Sequence, residues 1–155
     1  MFAILSNISE SLGNIFAVGI LTVAIMVAVW FVTLPLFALC LYLWHIQKNK
    51  VRKITRQSFV NQHFLKSLCL IPFFVSLCIV TLGGIFWRNP SHSIAHSWVI
   101  NVVNILLLMH LPISITVIWI AKQYRPFVAS LSVLQFWISL CAAFVTGMST
   151  TGSWL

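Results

Sequence analysis

Residues 98–121 read WVINVVNILLLMHLPISITVIWIA, a stretch without Asp, Glu, Lys or Arg. At 1.5 Å per residue it makes a helix of roughly 36 Å, long enough to cross a hydrocarbon core of about 30 Å. Working outward, only residues 122–126 (KQYRP) separate it from a second uncharged apolar run over about 127–147, so the two must form an antiparallel hairpin. Pro126 suits the first turn of the following helix, where no intrahelical donor is lost. Upstream lie two more charge-free runs, over about 67–87 and about 14–44. Leu/Ile/Val/Phe runs of this length are the strongest class of sequence signal. The expected fold is an all-α integral membrane protein, a single membrane domain of four transmembrane helices in an antiparallel bundle.

Composition agrees. Of 155 residues 61% are hydrophobic and 6% charged, and the mean hydropathy is +1.04. Soluble domains are about 45–50% apolar and about 25% charged. So few charged side chains could not cover a water-soluble fold of this size. Disorder is excluded too, because it needs low hydrophobicity and high charge.

The run over 14–44 is too long for one upright helix and too short for two spans plus a turn. A strong tilt, or a bend near Pro35, would absorb the excess, since Pro35 frees the carbonyl of Phe31. Ahead of it Phe2, Leu5, Ile8, Leu12 and Ile15 recur at helical spacing, with Ser6, Asn7, Ser9 and Glu10 between them. That pattern predicts an interfacial segment over about 1–13. No basic residue precedes the apolar run, which argues against a cleaved signal peptide.

Nine Lys/Arg stand against a single acid, Glu10, for a net charge of +8. Lys48, Lys50, Arg52, Lys53, Arg56 and Lys66 lie in the segment 45–66, and Lys122 and Arg125 in the short turn, so one face holds all the basic residues except Arg88. The positive-inside rule makes these loops cytoplasmic and both termini external. Trp44 and Trp119 then mark the inner interface, and Trp87, Trp98 and Trp154 the outer one. Asn7-Ile8-Ser9 matches a glycosylation acceptor but lies too close to the membrane, and nothing else indicates a eukaryotic secretory route. The expected setting is a bacterial inner (plasma) membrane. The cationic segment with Val51 and Ile54 could also attract anionic lipid headgroups. Few aromatics and no recognisable module accompany it, so no nucleic-acid partner is expected.

Helices associate in lipid through small residues and hydrogen bonds. Ser132, Gln135, Ser139, Ala142 and Thr146 fall on one stripe of the last span, and Ala143 with Gly147 adds a small-xxx-small pair. Gly13, Ala17, Ala24 and Ala28 make a comparable stripe in the first. The chain shows no internal repeat and no low-complexity tract.

His110 is the ionisable group nearest a span midpoint, two residues before Pro112. Such groups are functional candidates by default. A neutral imidazole could equally hydrogen-bond the carbonyl released by Pro112, or Gln135, and hold two helices together. Gln135 and Cys78 share its depth, while Asn101 and Asn104 lie nearer the outer end. His96 and His110 return to nearly one helix face about 21 Å apart. That spacing is similar to the paired haem-ligating histidines of b-type cytochrome helices, and would imply a haem b held by His110 or His96. A second ligand at the same depth on another helix is missing from the chain, so no cofactor is expected from this chain alone.

His92 and His96 could stand at i, i+4, but two imidazoles fall short of the three or four ligands that zinc requires. The cysteines, at 40, 69, 78 and 141, include no C-x-x-C and read as small buried hydrophobes. The tail from Thr146 to Gly152 has the hydroxyl- and glycine-rich composition of a cation-channel filter, but too few residues follow it to fold such a loop back into the membrane.

No carboxylate lies within a span, which argues against ion-coupled transport and against catalysis contained in this chain. His110 and Ser114 stand at i, i+4, yet nothing orients the histidine as a catalytic base. The favoured expectation is a non-catalytic subunit or accessory partner of a larger membrane complex, docked to other integral membrane subunits. The alternative is a homo-oligomeric channel or small transporter with His110, Gln135, Asn101 and Asn104 along a polar path. A haem-binding membrane anchor subunit is a third reading.

Overall fold

The computed structural model describes residues 2–54, 59–87, 97–121 and 125–152, with side chains described for 7–47, 70–87, 98–121 and 125–152. These residues form α1 (Phe2–Ala28), α2 (Trp30–Ile54), α3 (Phe59–Ile85), α4 (Ser97–Ile120) and α5 (Arg125–Thr151). α5 packs against every other helix. α1 and α4 each pack on both α3 and α5, so they flank the α3–α5 pair from opposite sides.

Four helices are long and apolar enough to cross a membrane: Asn7–Ala28, Trp30–Gln47, Trp98–Ile120 and Arg125–Thr151. The described apolar part of α3, Leu70–Ile85, is shorter. The packing register shows how α1 and α2 share one crossing. Ile15 meets Gly84 of α3, and Gly83 accepts from Ser149 near the C-terminal end of α5. Farther along, Thr33 accepts a 3.2 Å bond from Trp137 Nε1. At the other end, the Trp44 ring lies 5.1 Å from that of Phe127. α1 and α2 thus follow α5 from one end to the other in the opposite direction, as one bent rod. Packed this way, α1–α2, α3, α4 and α5 make four rods side by side in the order of the four apolar runs, although by length and apolarity alone α1 and α2 each qualify as a span and the described part of α3 falls short.

The bend lies at Val29, not at Pro35, which sits inside α2. At the break the Thr33 hydroxyl donates to the Met26 carbonyl at 2.9 Å and takes the Trp137 indole bond in return. Pro35 removes the donor to the Phe31 carbonyl, whereas the carbonyl that the Thr33 hydroxyl caps is that of Met26, at the break itself.

Both ends of the described chain are helical. The backbone of the segment expected at the interface is continuous with α1, which runs unbroken from Phe2. The hydroxyl-rich tail is helical through Thr151, and Gly152 closes α5 with φ 71° and an N–H bond to the Met148 carbonyl at 2.9 Å. The basic segment 45–66 is also largely helical in backbone, with only residues 55–58 between α2 and α3 outside the described residues.

The interior has three layers. Val75, Ile79, Val99, Val103 and Ala142 form an apolar cluster towards the end where α3 stops and α4 starts. Val117, Ala121 and Val128 form another at the α4–α5 hairpin. Between them lies a polar layer around His110.

Candidate functional site

Prolines at 72 and 112 interrupt hydrogen-bond ladders of α3 and α4 near this layer. Ser76, Ser139 and His110 pair across helices. Ser76 of α3 and Ser139 of α5 lie 2.7 Å apart, oxygen to oxygen. Ser139 Oγ is also 3.2 Å from His110 Nδ1. The His110 ring is 0% exposed and meets Phe136 edge-on, centroid to centroid 5.5 Å. Three helices are therefore tied by one chain of hydrogen bonds.

The chain couples two choices. If Ser139 donates to Nδ1, Ser76 donates to Ser139 and the neutral ring carries its proton on Nε2. If Nδ1 carries the proton, Ser139 can donate to Ser76 and Nε2 becomes an acceptor. Among the described residues His110 Nε2 has no hydrogen-bond partner, and neither does the buried hydroxyl of Ser114 one turn further along α4.

The stripe of α5 faces inward: Ser132, Gln135, Ser139, Ala142 and Thr146 are all buried. Towards its C-terminal end the hydroxyls close on backbone. Thr146 donates to the Ile79 carbonyl at 3.0 Å, Ser149 to Gly83 at 3.1 Å, and Thr150 to Thr146 at 2.8 Å. A hydroxyl has one proton, so each of these donors is spent on a carbonyl: that of Thr146 on α3, that of Ser149 shared between Gly83 of α3 and Thr146 of its own helix at 2.9 Å, and that of Thr150 within α5.

The close approaches are at Gly83 and Gly84, a pair the sequence reading passed over. A Cβ on Gly83 would lie 3.2 Å from Thr146 Cα, and one on Gly84 would run into the backbone of Ile15. α3 thus touches α5 through one glycine and α1 through the next. Gly147, expected in a small-xxx-small contact, faces open space: a Cβ there meets nothing within 4 Å. The adjacent diglycine was the available signal, because two small residues in an apolar run present bare backbone to two neighbours at once.

Other residues singled out in the sequence lie apart from the polar layer. Cys78, Asn101 and Asn104 are exposed on the outer surface. Cys40 and Cys141 are buried. Lys48, Lys50, Arg52 and Lys53 fall on the last turns of α2, and Lys66 near the start of α3, with side chains outside the described residues; Arg56 and Lys122 also lie outside them. Among the described residues no three His, Cys, Asp or Glu side chains come together. His92 and His96 lie outside the described residues. A haem on His110 would have to occupy the space that Phe136 and Ser139 fill.

The stripe of α1 turns the other way. Gly13, Ala24 and Ala28 are exposed and Ala17 half-buried. Beside it Ile15, Phe16, Gly19, Ile20 and Val23, with Val80 of α3, line an open apolar groove of about 500 Å³. Compared with protein-family models, curated proteins and solved structures, the chain matches none.

Proposed function

We infer that this chain is a non-catalytic accessory or structural subunit of a larger complex in a bacterial inner membrane, with both termini outside and the basic helix ends in the cytoplasm. The observation that carries this reading is the outward small-residue stripe of α1 beside its groove. A transmembrane helix of another subunit can approach closely there, because nothing stands within 4 Å of where a side chain would be at Gly13 or Gly19. The buried hydroxyls add support, since those of Thr146, Ser149 and Thr150 are committed to backbone carbonyls.

The test is native electrophoresis of membranes solubilised in mild detergent, with the co-migrating proteins identified. One predominant species containing unrelated membrane proteins is expected. Ala24→Leu should release this chain from that species and leave its helical content unchanged. A species built solely of copies of this chain overturns the reading.

A second reading, a small transport element, draws on the buried, unpartnered His110 Nε2 and Ser114 hydroxyl. It requires that the purified protein in liposomes carry a proton or solute flux that His110→Ala abolishes.

A further inference from the structure

The outward face of α4 is not uniformly apolar. Asn101, Asn104, Leu108, Leu111 and Ile115 are all exposed. They follow one another at spacings of three, four, three and four residues. At about 100° per residue they form one stripe, roughly opposite the face that buries Val103, His110 and Val117. Alternating steps of three and four are the seam of a left-handed helix pair. Asn104 lies roughly 9 Å along the axis from Trp98, where the apolar window of α4 begins, and so within a hydrocarbon core about 30 Å thick. Acyl chains offer an amide no partner. The two amides therefore favour a neighbour with polar groups at matching depths.

We propose that this stripe is the interface between two copies of this chain, forming a parallel α4–α4 pair about a two-fold axis along the membrane normal. A carboxamide is complementary to itself, because its carbonyl accepts while its NH2 donates. Copies of one chain insert in one orientation, so the two-fold axis sets Asn101 and Asn104 each against its own counterpart at equal depth. An unrelated helix would have to carry suitable polar groups at both levels. Leu108, Leu111 and Ile115 fill the rest of the seam, and an asparagine in such a seam fixes register and oligomer size. The contact is isologous and closes after two copies. It lies across the α3–α5 pair from the α1 groove, so it neither uses nor requires the partner inferred above.

The full chain, labelled at its N-terminus with donor or acceptor dye, is reconstituted in phosphatidylcholine liposomes, and energy transfer is followed as lipid is added. Wild type should show a dimer that dissociates on dilution. Asn104→Leu should weaken it roughly 3- to 30-fold, and Asn104→Gln, which keeps the amide, should retain most of it. In a background with the four native cysteines changed to serine, oxidation should link Leu108→Cys into dimers and leave Ile105→Cys, off the stripe, monomeric. Circular dichroism confirms that each variant is folded. Energy transfer no greater than random proximity, indifference to Asn104→Leu, or equal linking through Ile105→Cys overturns the proposal. So does association that appears only when other membrane proteins are added, since that assigns the stripe to an unrelated helix.

Discussion

Ser139 is the hinge of the polar layer, because it is the one side chain that touches both Ser76 and His110. Removing its hydroxyl leaves two buried polar groups short of a partner, whereas removing that of Ser76 leaves the His110 bond intact. Ser139→Ala should therefore cost about 1–2 kcal/mol in unfolding free energy measured in mixed micelles, and Ser76→Ala less. A double-mutant cycle between them should show coupling, and strict additivity would contradict the shared chain. The sequence placed Ser139 on the packing stripe and set Gln135 and Cys78 at the depth of His110. It paired His110 with Gln135 or a released carbonyl because depth along a helix is legible from spacing, while rotation against a neighbour is not. Ser76, one hydroxyl in an apolar run, carried no periodic signal.

The helices are positioned by two local devices, the diglycine of α3 and the capped break between α1 and α2. Gly84→Ala should force α1 away from α3 and cost about 1–3 kcal/mol, since the added methyl meets the Ile15 backbone and not a movable side-chain end. Gly147→Ala, with open space around it, should be neutral or slightly stabilising through helix propensity. If the two substitutions behave alike in the same micelle unfolding assay, the close approach is wrong. Thr33→Val removes both the cap on the Met26 carbonyl and the acceptor for Trp137 Nε1. It should cost about 1–2 kcal/mol and alter the fluorescence of Trp137, which an unbonded indole would not show. The length of the run left a strong tilt or a bend near Pro35 as alternatives. The structure puts the bend at Val29, where Thr33 caps the Met26 carbonyl and accepts from Trp137, a residue far away in sequence.

In the whole bundle α1–α2 and α5 run antiparallel along their length, so the start of α1 and the end of α5 lie at the same end. The basic residues of α2, α3 and the hairpin belong to the opposite end. Alkaline phosphatase fused at either terminus should be active in bacterial cells, and a cytoplasm-dependent fluorescent reporter dark. Replacing Lys48, Lys50, Arg52 and Lys53 with Gln should lower phosphatase activity by producing inverted molecules. Unchanged activity in that variant would mean that charge does not set the orientation.

Membrane class, number of crossings and the charge asymmetry between the two ends were all contained in the order of residues. Each follows from the bilayer as solvent: length, apolarity and loop charge act on a span before it meets another. Which faces meet was settled by packing. The stripes of α1 and α5 both read as packing seams in sequence, yet that of α5 is buried and that of α1 is mostly open. The difference rests on long-range partners: hydroxyls at 139, 146 and 149 find hydrogen-bond partners on α3, whereas Gly13 and Ala24 have no polar group with which to claim a neighbour. Close backbone approach and hydrogen-bond geometry exist only between helices, so no single run of sequence could specify them.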